Sequence, residues 1–215
     1  TYQRVENIER PRKDGGYDKI STKKRPGTVS ICAAIMNKYQ VEAVPHLICG
    51  GFSKDETENA LIDLAFLGIE NVLALRGDNL KNERNFVSEK NGNGNSLDLI
   101  RQIGDMNNGV YQDQELENAT ETNFCMGAAG YPEKHSDAAN MQSDLKFLKR
   151  KVDAGAEFIV TQMFFDNQKY FDYVAMCREA GILIPIIPGI KPITKKVHLR
   201  ALPSIFNMDI PEPLA

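Results

Sequence analysis

From Val41 onward the chain alternates short apolar runs with amphipathic stretches, and that rhythm limits the folds open to it. The runs are "VEAVPHLICGG" (41–51), "NVLALRGD" (71–78), "NFCMGAAGYP" (123–132), "EFIVTQMFF" (157–165) and "ILIPIIPGIKP" (182–192). They are apolar without period-two alternation, as strands covered on both faces are. Between them lie helical patterns over 53–69, near 96–106, over 136–156 and over 167–181, with further helices at 27–40 and 194–206. Ser53 with Glu56 three residues on reads as a capping box. On the first of these helices Ile31, Ala34 and Ile35 share a face. Strict β-α alternation predicts a parallel sheet with right-handed crossovers, either a (β/α)8 barrel or an open doubly wound sheet. The only dense glycine cluster, "NGNGNS" (91–96), follows a polar loop and not a strand, so it is no dinucleotide fingerprint. The expected fold is therefore a (β/α)8 TIM barrel. A whole barrel takes about 250 residues and eight strands. With about five strands in 215 residues, one catalytic-domain fragment is expected, an interior piece of a barrel.

Residues 1–26 are polar and rich in Lys and Arg, which predicts a solvated loop, free to move. A formal charge of −3 offers no excess of positive charge for nucleic acid or an anionic membrane. No apolar run reaches the ~18 residues of a membrane helix, and no charged-then-apolar leader opens the chain. Cys32, Cys49, Cys125 and Cys177 are scattered and sit in or beside apolar stretches, the pattern of reduced core thiols. A cytoplasmic protein is expected, which weakens an adhesion reading of Arg76-Gly77-Asp78.

Polar residues at the C-terminal ends of barrel strands point into the active-site mouth. Here these are His46 with Cys49; Arg76 and Asp78; Tyr131, Glu133 and His135; Thr161, Gln162 and Asp166; and Lys191. Each alone reads equally well as a loop or capping residue. Gln162 is harder to dismiss, because an unpaired amide inside an apolar strand costs ~1–3 kcal/mol. The three histidines lack metal-ligand spacing, and no nucleophile elbow is present. What remains is an inventory suited to a planar, hydrogen-bonding cofactor.

"VPHLICGG", "ALRGD", "AAGYPEKH", "DLKFLKRKVDAGAEFIVTQMFFD" and "IPIIPGIKPI" together resemble, in order, the methylenetetrahydrofolate reductase family, bacterial type. The resemblance runs from Thr1 to about Pro211. It implies a flavoprotein (β/α)8 barrel that reduces 5,10-methylenetetrahydrofolate to 5-methyltetrahydrofolate, an oxidoreductase of one-carbon metabolism and methionine biosynthesis. It further implies bound FAD, with NADH or NADPH as co-substrate in a ping-pong route. Carried over residue by residue, Asp78 lies at the flavin's pyrimidine edge. Arg76, Gly77, His46, Tyr131, His135, Ala138, Asp144, Arg150 and Lys151 hold FAD, the basic ones near its diphosphate and Asp144 near a ribose. Gln162 bonds the pterin ring and, in the other half-reaction, the nicotinamide. Thr1 and Tyr2 match the end of a strand touching flavin and nicotinamide. Asp78 and Gln162 are thus the expected catalytic residues. A carboxylate at the flavin edge makes it a stronger hydride donor and favours the cationic iminium formed as the folate ring opens.

The family's general acid, a glutamate in an "FEFFPP"-like strand, is not among these residues. "GNSLDL" replaces the usual "YASDL", so Ser96 holds the place of an alanine that touches FAD. Two other readings stand beside the enzyme. One is a truncated, inactive partial barrel that at most binds FAD or pairs with a complementary segment. The other is a different flavin- or phosphate-binding barrel. The expected partners are a small-molecule folate and, in the intact protein, further copies of itself, with neither nucleic acid nor membrane.

Overall fold

The computed structural model describes residues 7–21, 26–79 and 85–214. Thr1 and Tyr2 lie outside them. The chain divides into two compact units, Thr1–Phe124 and Cys125–Ala215.

The first unit opens with a hairpin, β1 (Asn7–Pro11) and β2 (Tyr17–Ser21), paired antiparallel from Asn7↔Ser21 to Pro11↔Tyr17. Within 7–21 paired strands thus stand where a loop was expected; the rest of that stretch, but for Pro26, lies outside the described residues. Asp14-Gly15-Gly16 makes the turn: Gly15 has φ +83, the Gly16 N–H donates to Asp14 Oδ1 at 3.1 Å, and Arg12 N–H donates to Gly16 O at 2.7 Å. Charged residues along both strands hid the pairing from a composition argument.

Helix α1 (Thr28–Tyr39) buries Thr28 and Cys32, while Ile31 on the expected apolar face is exposed. Strand β3 is only His46–Ile48, shorter than the apolar run suggested. Pro45 has no N–H for a ladder, although its carbonyl accepts from Leu73 N–H at 2.9 Å. Helix α2 (Lys54–Phe66) starts on the expected capping box, with Glu56 N–H donating to Ser53 Oγ and Ser53 N–H to Glu56 Oε2. Strand β4 (Asn71–Leu75) pairs in parallel with β3, His46 opposite Leu73 and Ile48 opposite Leu75. Its centre, Val72 to Ala74, is buried, as a strand covered on both faces requires. Helix α3 (Ser96–Asn107) turns Leu97, Leu99, Ile100, Ile103 and Met106 into the core.

The "NGNGNS" segment ties that helix to α2. Asn93 donates to Gln102 Oε1 at 2.7 Å, Gln102 donates to Lys54 O at 2.8 Å, and Asn95 caps α3 by accepting from Leu97 and Asp98. The cluster is a structural staple.

In the second unit, β5 (Cys125–Gly130), β6 (Ala156–Thr161) and β7 (Ile186–Ile187) pair in parallel, each with its sequence neighbour. Helices α4 (Met141–Asp153), α5 (Asn167–Glu179) and α6 (His198–Phe206) follow them in turn. Helix α4 starts later than expected, because Asn140 caps it by accepting from Ser143 N–H at 2.8 Å. Strand β7 is short because Pro185 and Pro188 bracket it and neither can donate.

Among the described residues, five parallel strands alternate with helices, and each strand pairs with its sequence neighbour inside its unit. That is the α/β repeat of a (β/α)8 barrel, five strands of it. All four cysteines are free thiols, and three are buried. No described helix is long and apolar enough to cross a membrane.

Candidate active site

In the first unit the chain leaves β4 through Arg76, Gly77 and Asp78. Gly77 has φ +87, a conformation a side chain disfavours, and a Cβ there would stand 3.2 Å from Ile48 Cβ. Both constraints act before any ligand is considered. The Arg76 guanidinium lies 5.3 Å from the Phe86 ring centre, a cation–π distance. Asp78 is exposed. Cys49 donates its S–H to Leu75 O at 3.3 Å, and burial pushes its pKa up to about 12, so it is an inert thiol. His46 opens β3 instead of closing it, which corrects its placement at a strand end; burial lowers its pKa and favours the neutral imidazole. Ser96 is buried at the first position of α3.

In the second unit the end of β5 carries a denser group. The Tyr131 and His135 rings meet edge to face at 4.6 Å. His135 Nδ1 accepts from Asp137 N–H at 3.0 Å, which puts the proton of the neutral ring on Nε2. Its backbone N–H donates to Asp144 Oδ2 at 2.8 Å, and its carbonyl accepts from Ala138 N–H at 3.1 Å. One carboxylate at the start of α4 thus fixes the loop bearing Tyr131, His135 and Ala138.

Arg150 and Lys151 are neighbours on α4 and point differently. Arg150 is exposed, with its guanidinium 5.6 Å from the Phe147 ring centre. Lys151 is only 4% exposed and donates to Ala129 O at 2.8 Å. Burial lowers its pKa to about 8, against the field of Asp144, which raises it. Among the described residues no carboxylate lies within ion-pair distance of Lys151.

Gln162 follows β6 directly. Its backbone N–H donates to Gly130 O at 2.8 Å, and its side-chain Oε1 accepts from Met163 N–H at 3.0 Å. Among the described residues no acceptor meets its Nε2. The amide is half-buried and so avoids the full penalty of an orphan. It lines a small open cleft with Tyr131 to Lys134, Met163, and Phe206 to Met208.

Three contributors escaped the sequence reading. Tyr173, 1% exposed, sets its hydroxyl against Gly130, so α5 packs on the end of β5. Burial first, then Cys177, raises its pKa, keeping the phenol protonated. Gly130 makes room for it: a Cβ there would lie 2.4 Å from Tyr173 Oη. Lys169 and Asp209 meet Glu133, with Lys169 Nζ 2.8 Å from Glu133 Oε2 and 2.6 Å from Asp209 Oδ2. The legible signal was Gly130, too small for a strand interior without a reason.

The methylenetetrahydrofolate reductase family model matches residues 13–215. The chain belongs to this family. It is similar to methylenetetrahydrofolate reductase (NADH) 1 of Arabidopsis thaliana, 36% identical over 196 residues that make 87% of this chain and 31% of the relative. The probable methylenetetrahydrofolate reductase (NADPH) of Caenorhabditis elegans is 33% identical over 92% of this chain and 27% of its own length. The 5,10-methylenetetrahydrofolate reductase of Escherichia coli is 32% identical over 89% of this chain and 57% of its own. The chain thus spans about a third of the eukaryotic relatives and just over half of the bacterial one. Among solved structures, an uncharacterized protein from Clostridium thermocellum, described as binding two copies of 5-methyl-5,6,7,8-tetrahydrofolic acid, superposes with a TM-score of 0.50. It covers 83% of this chain and 55% of that one at 13% identity, a likeness of fold.

For a methylenetetrahydrofolate reductase the resemblance implies a flavin dinucleotide, and the second unit carries an observation that fits one. Lys151 is a buried ammonium that meets the Ala129 carbonyl and lies 5.5 Å from the Phe147 ring centre, with no carboxylate at ion-pair distance among the described residues; a diphosphate would balance its charge. No cluster of metal-ligating side chains occurs among the described residues.

Proposed function

We propose that this chain is the catalytic-domain portion of an enzyme that reduces 5,10-methylenetetrahydrofolate to 5-methyltetrahydrofolate with NADH or NADPH, through bound FAD. The observation that carries the reading is Gln162, whose amide donors are open in a cleft at the strand ends of a chain of this family. The buried cation Lys151 supports the cofactor.

Lys151, with Arg150 and the Nε2–H of His135, would hold the diphosphate. Asp144, which already orders the His135 loop, would face a ribose with its remaining oxygen. His46, Arg76, Gly77, Ser96, Tyr131 and Ala138 would complete the cofactor's surroundings, as would Thr1 and Tyr2. When bound, the flavin supplies a hydride acceptor for the nicotinamide and a hydride donor for the folate.

The chain's own contribution is binding, orientation and charge. The amide of Gln162 carries two donors and one acceptor. Met163 N–H takes one lone pair of the acceptor, and the donors would meet a carboxamide or pterin oxygen. One amide can therefore serve both half-reactions in turn. Asp78 keeps an anionic carboxylate where positive charge develops on the folate as its ring opens. Such a contribution is worth more in the transition state than in the ground state.

The test is anaerobic rapid mixing of the full-length protein. NADH or NADPH should bleach a bound flavin, and methylenetetrahydrofolate should restore its colour with stoichiometric methyltetrahydrofolate. A full-length protein that stays colourless with added FAD would overturn the reading.

A further inference from the structure

The wall of the Gln162 cleft formed by Phe206 to Met208 comes from the last residue of α6 and the segment after it, which no strand pairing holds among the described residues. Asn207 turns the chain back in the left-handed conformation, φ +51, and Met208 is buried behind it. What fastens the segment is Glu133. Its Oε2 accepts both from Asp209 N–H at 2.9 Å and from Lys169 Nζ at 2.8 Å. Lys169 in turn reaches Asp209 Oδ2 at 2.6 Å. Three elements therefore meet on one carboxylate: the end of β5, the first turn of α5 and the stretch after α6. The residues stand 36, 40 and 76 positions apart, so no local turn explains the meeting.

The cluster is not an ordinary surface pair. Glu133 is only 12% exposed, and its Oε1 is buried with no donor among the described residues. Burial pushes the Lys169 ammonium down, yet its bonds to Asp209 and Glu133 outweigh that and hold its pKa above the ordinary value. The carboxylate that bears the cation also lines the cleft.

We infer that Glu133 is a positioning residue whose charge-assisted bonds to Lys169 and the Asp209 backbone hold Asn207–Met208 as one wall of the Gln162 cleft, so that folate affinity depends on an electrostatic clamp outside the reacting atoms. The inference rests on reading the Gln162 cleft as the folate site. Nicotinamide takes its turn in the same cleft, so loss of the clamp weakens the hold on both ligands, and on folate more because it presents more hydrogen-bonding edge.

The experiment uses the full-length holoprotein with Lys169→Met, Glu133→Gln and the conservative Lys169→Arg. Hydrogen exchange read at the amides of Met208 to Ile210 should quicken about 3–10-fold in the first two and return towards the parent rate in the third. The KM for methylenetetrahydrofolate should rise by about the same factor, with a smaller rise for NAD(P)H. If the variants fold poorly, the parent protein suffices: added salt should quicken exchange at Asp209 and leave the amides of β5 and β6 unchanged. Exchange at Asp209 that ignores both substitution and salt would overturn the clamp. Faster exchange with an unchanged folate KM would overturn its link to the cleft. A parent protein that turns over no folate would overturn the proposed function instead, and the exchange data would still decide the clamp.

Discussion

Lys151 sets stability against binding, and the conflict can be measured. Its pKa falls from an ordinary 10.5 to about 8. At ~1.4 kcal/mol per pH unit, the ammonium's burial costs about 3 kcal/mol wherever it stays protonated. Below pH 8 folded and unfolded chains both carry the proton, and the penalty is complete. Between pH 8 and 10.5 the unfolded chain holds more protons than the folded one, so stability rises with pH across that window. Replacing Lys151 by Met keeps the length and removes the charge. It also removes the bond to Ala129 O, so the expected gain in the FAD-free protein is a part of the penalty, about 1–2 kcal/mol at pH 7. Urea unfolding of parent and variant at pH 7, 8, 9 and 10 measures this. The parent should gain stability above pH 8 and the variant should not, with the two curves converging as the lysine deprotonates. FAD affinity should move the other way, falling tenfold or more as a charge-assisted bond to phosphate is lost. Parallel pH profiles would refute the buried-cation account. A variant that binds FAD as tightly as the parent would refute the role assigned to the lysine.

Gly130→Ala places a methyl 2.4 Å from Tyr173 Oη and 2.8 Å from Ile159 Cγ2, so it should cost ~1–3 kcal/mol in denaturant unfolding. Its effect should shrink when Tyr173 is also replaced by Phe. Asp78→Asn should leave flavin reduction by NAD(P)H working and slow folate reduction by ~10²–10³ in rapid mixing, with a raised flavin potential. Gln162→Ala should weaken both nicotinamide and folate, folate more, because the pterin presents more hydrogen-bonding edge; ligand titrations against the oxidised and reduced protein measure each.

Much of the fold could be read because its signals are local. The Ser53–Glu56 capping box, the apolar run at Val72 to Ala74 and the glycines after α4 and α5 each carry their own instruction. Strand lengths could not be read that way. Apolar character extends over Val41 to Val44 and Ile182 to Ile184, yet a ladder needs donors, and Pro45, Pro185 and Pro188 remove them. The hairpin at Asn7–Ser21 failed for the opposite reason. Its turn chemistry at Asp14-Gly15 was visible, but the charge on both strands spoke louder than the turn.

The candidate site divides along the same line. Residues at strand ends, such as Arg76, Asp78, Tyr131, His135 and Gln162, follow from the architecture once the strands are found, because a barrel sends those positions to its mouth. What holds them does not follow. Tyr173 reaches Gly130 from the middle of a helix, and Asp144 reaches the His135 backbone from the first turn of another. Glu133 gathers Lys169 and Asp209 from far along the chain. A carboxylate beside a strand end carries no local mark of which distant lysine it will meet. The supporting residues are thus fixed by packing between elements far apart in the chain, which no local pattern in the sequence displays.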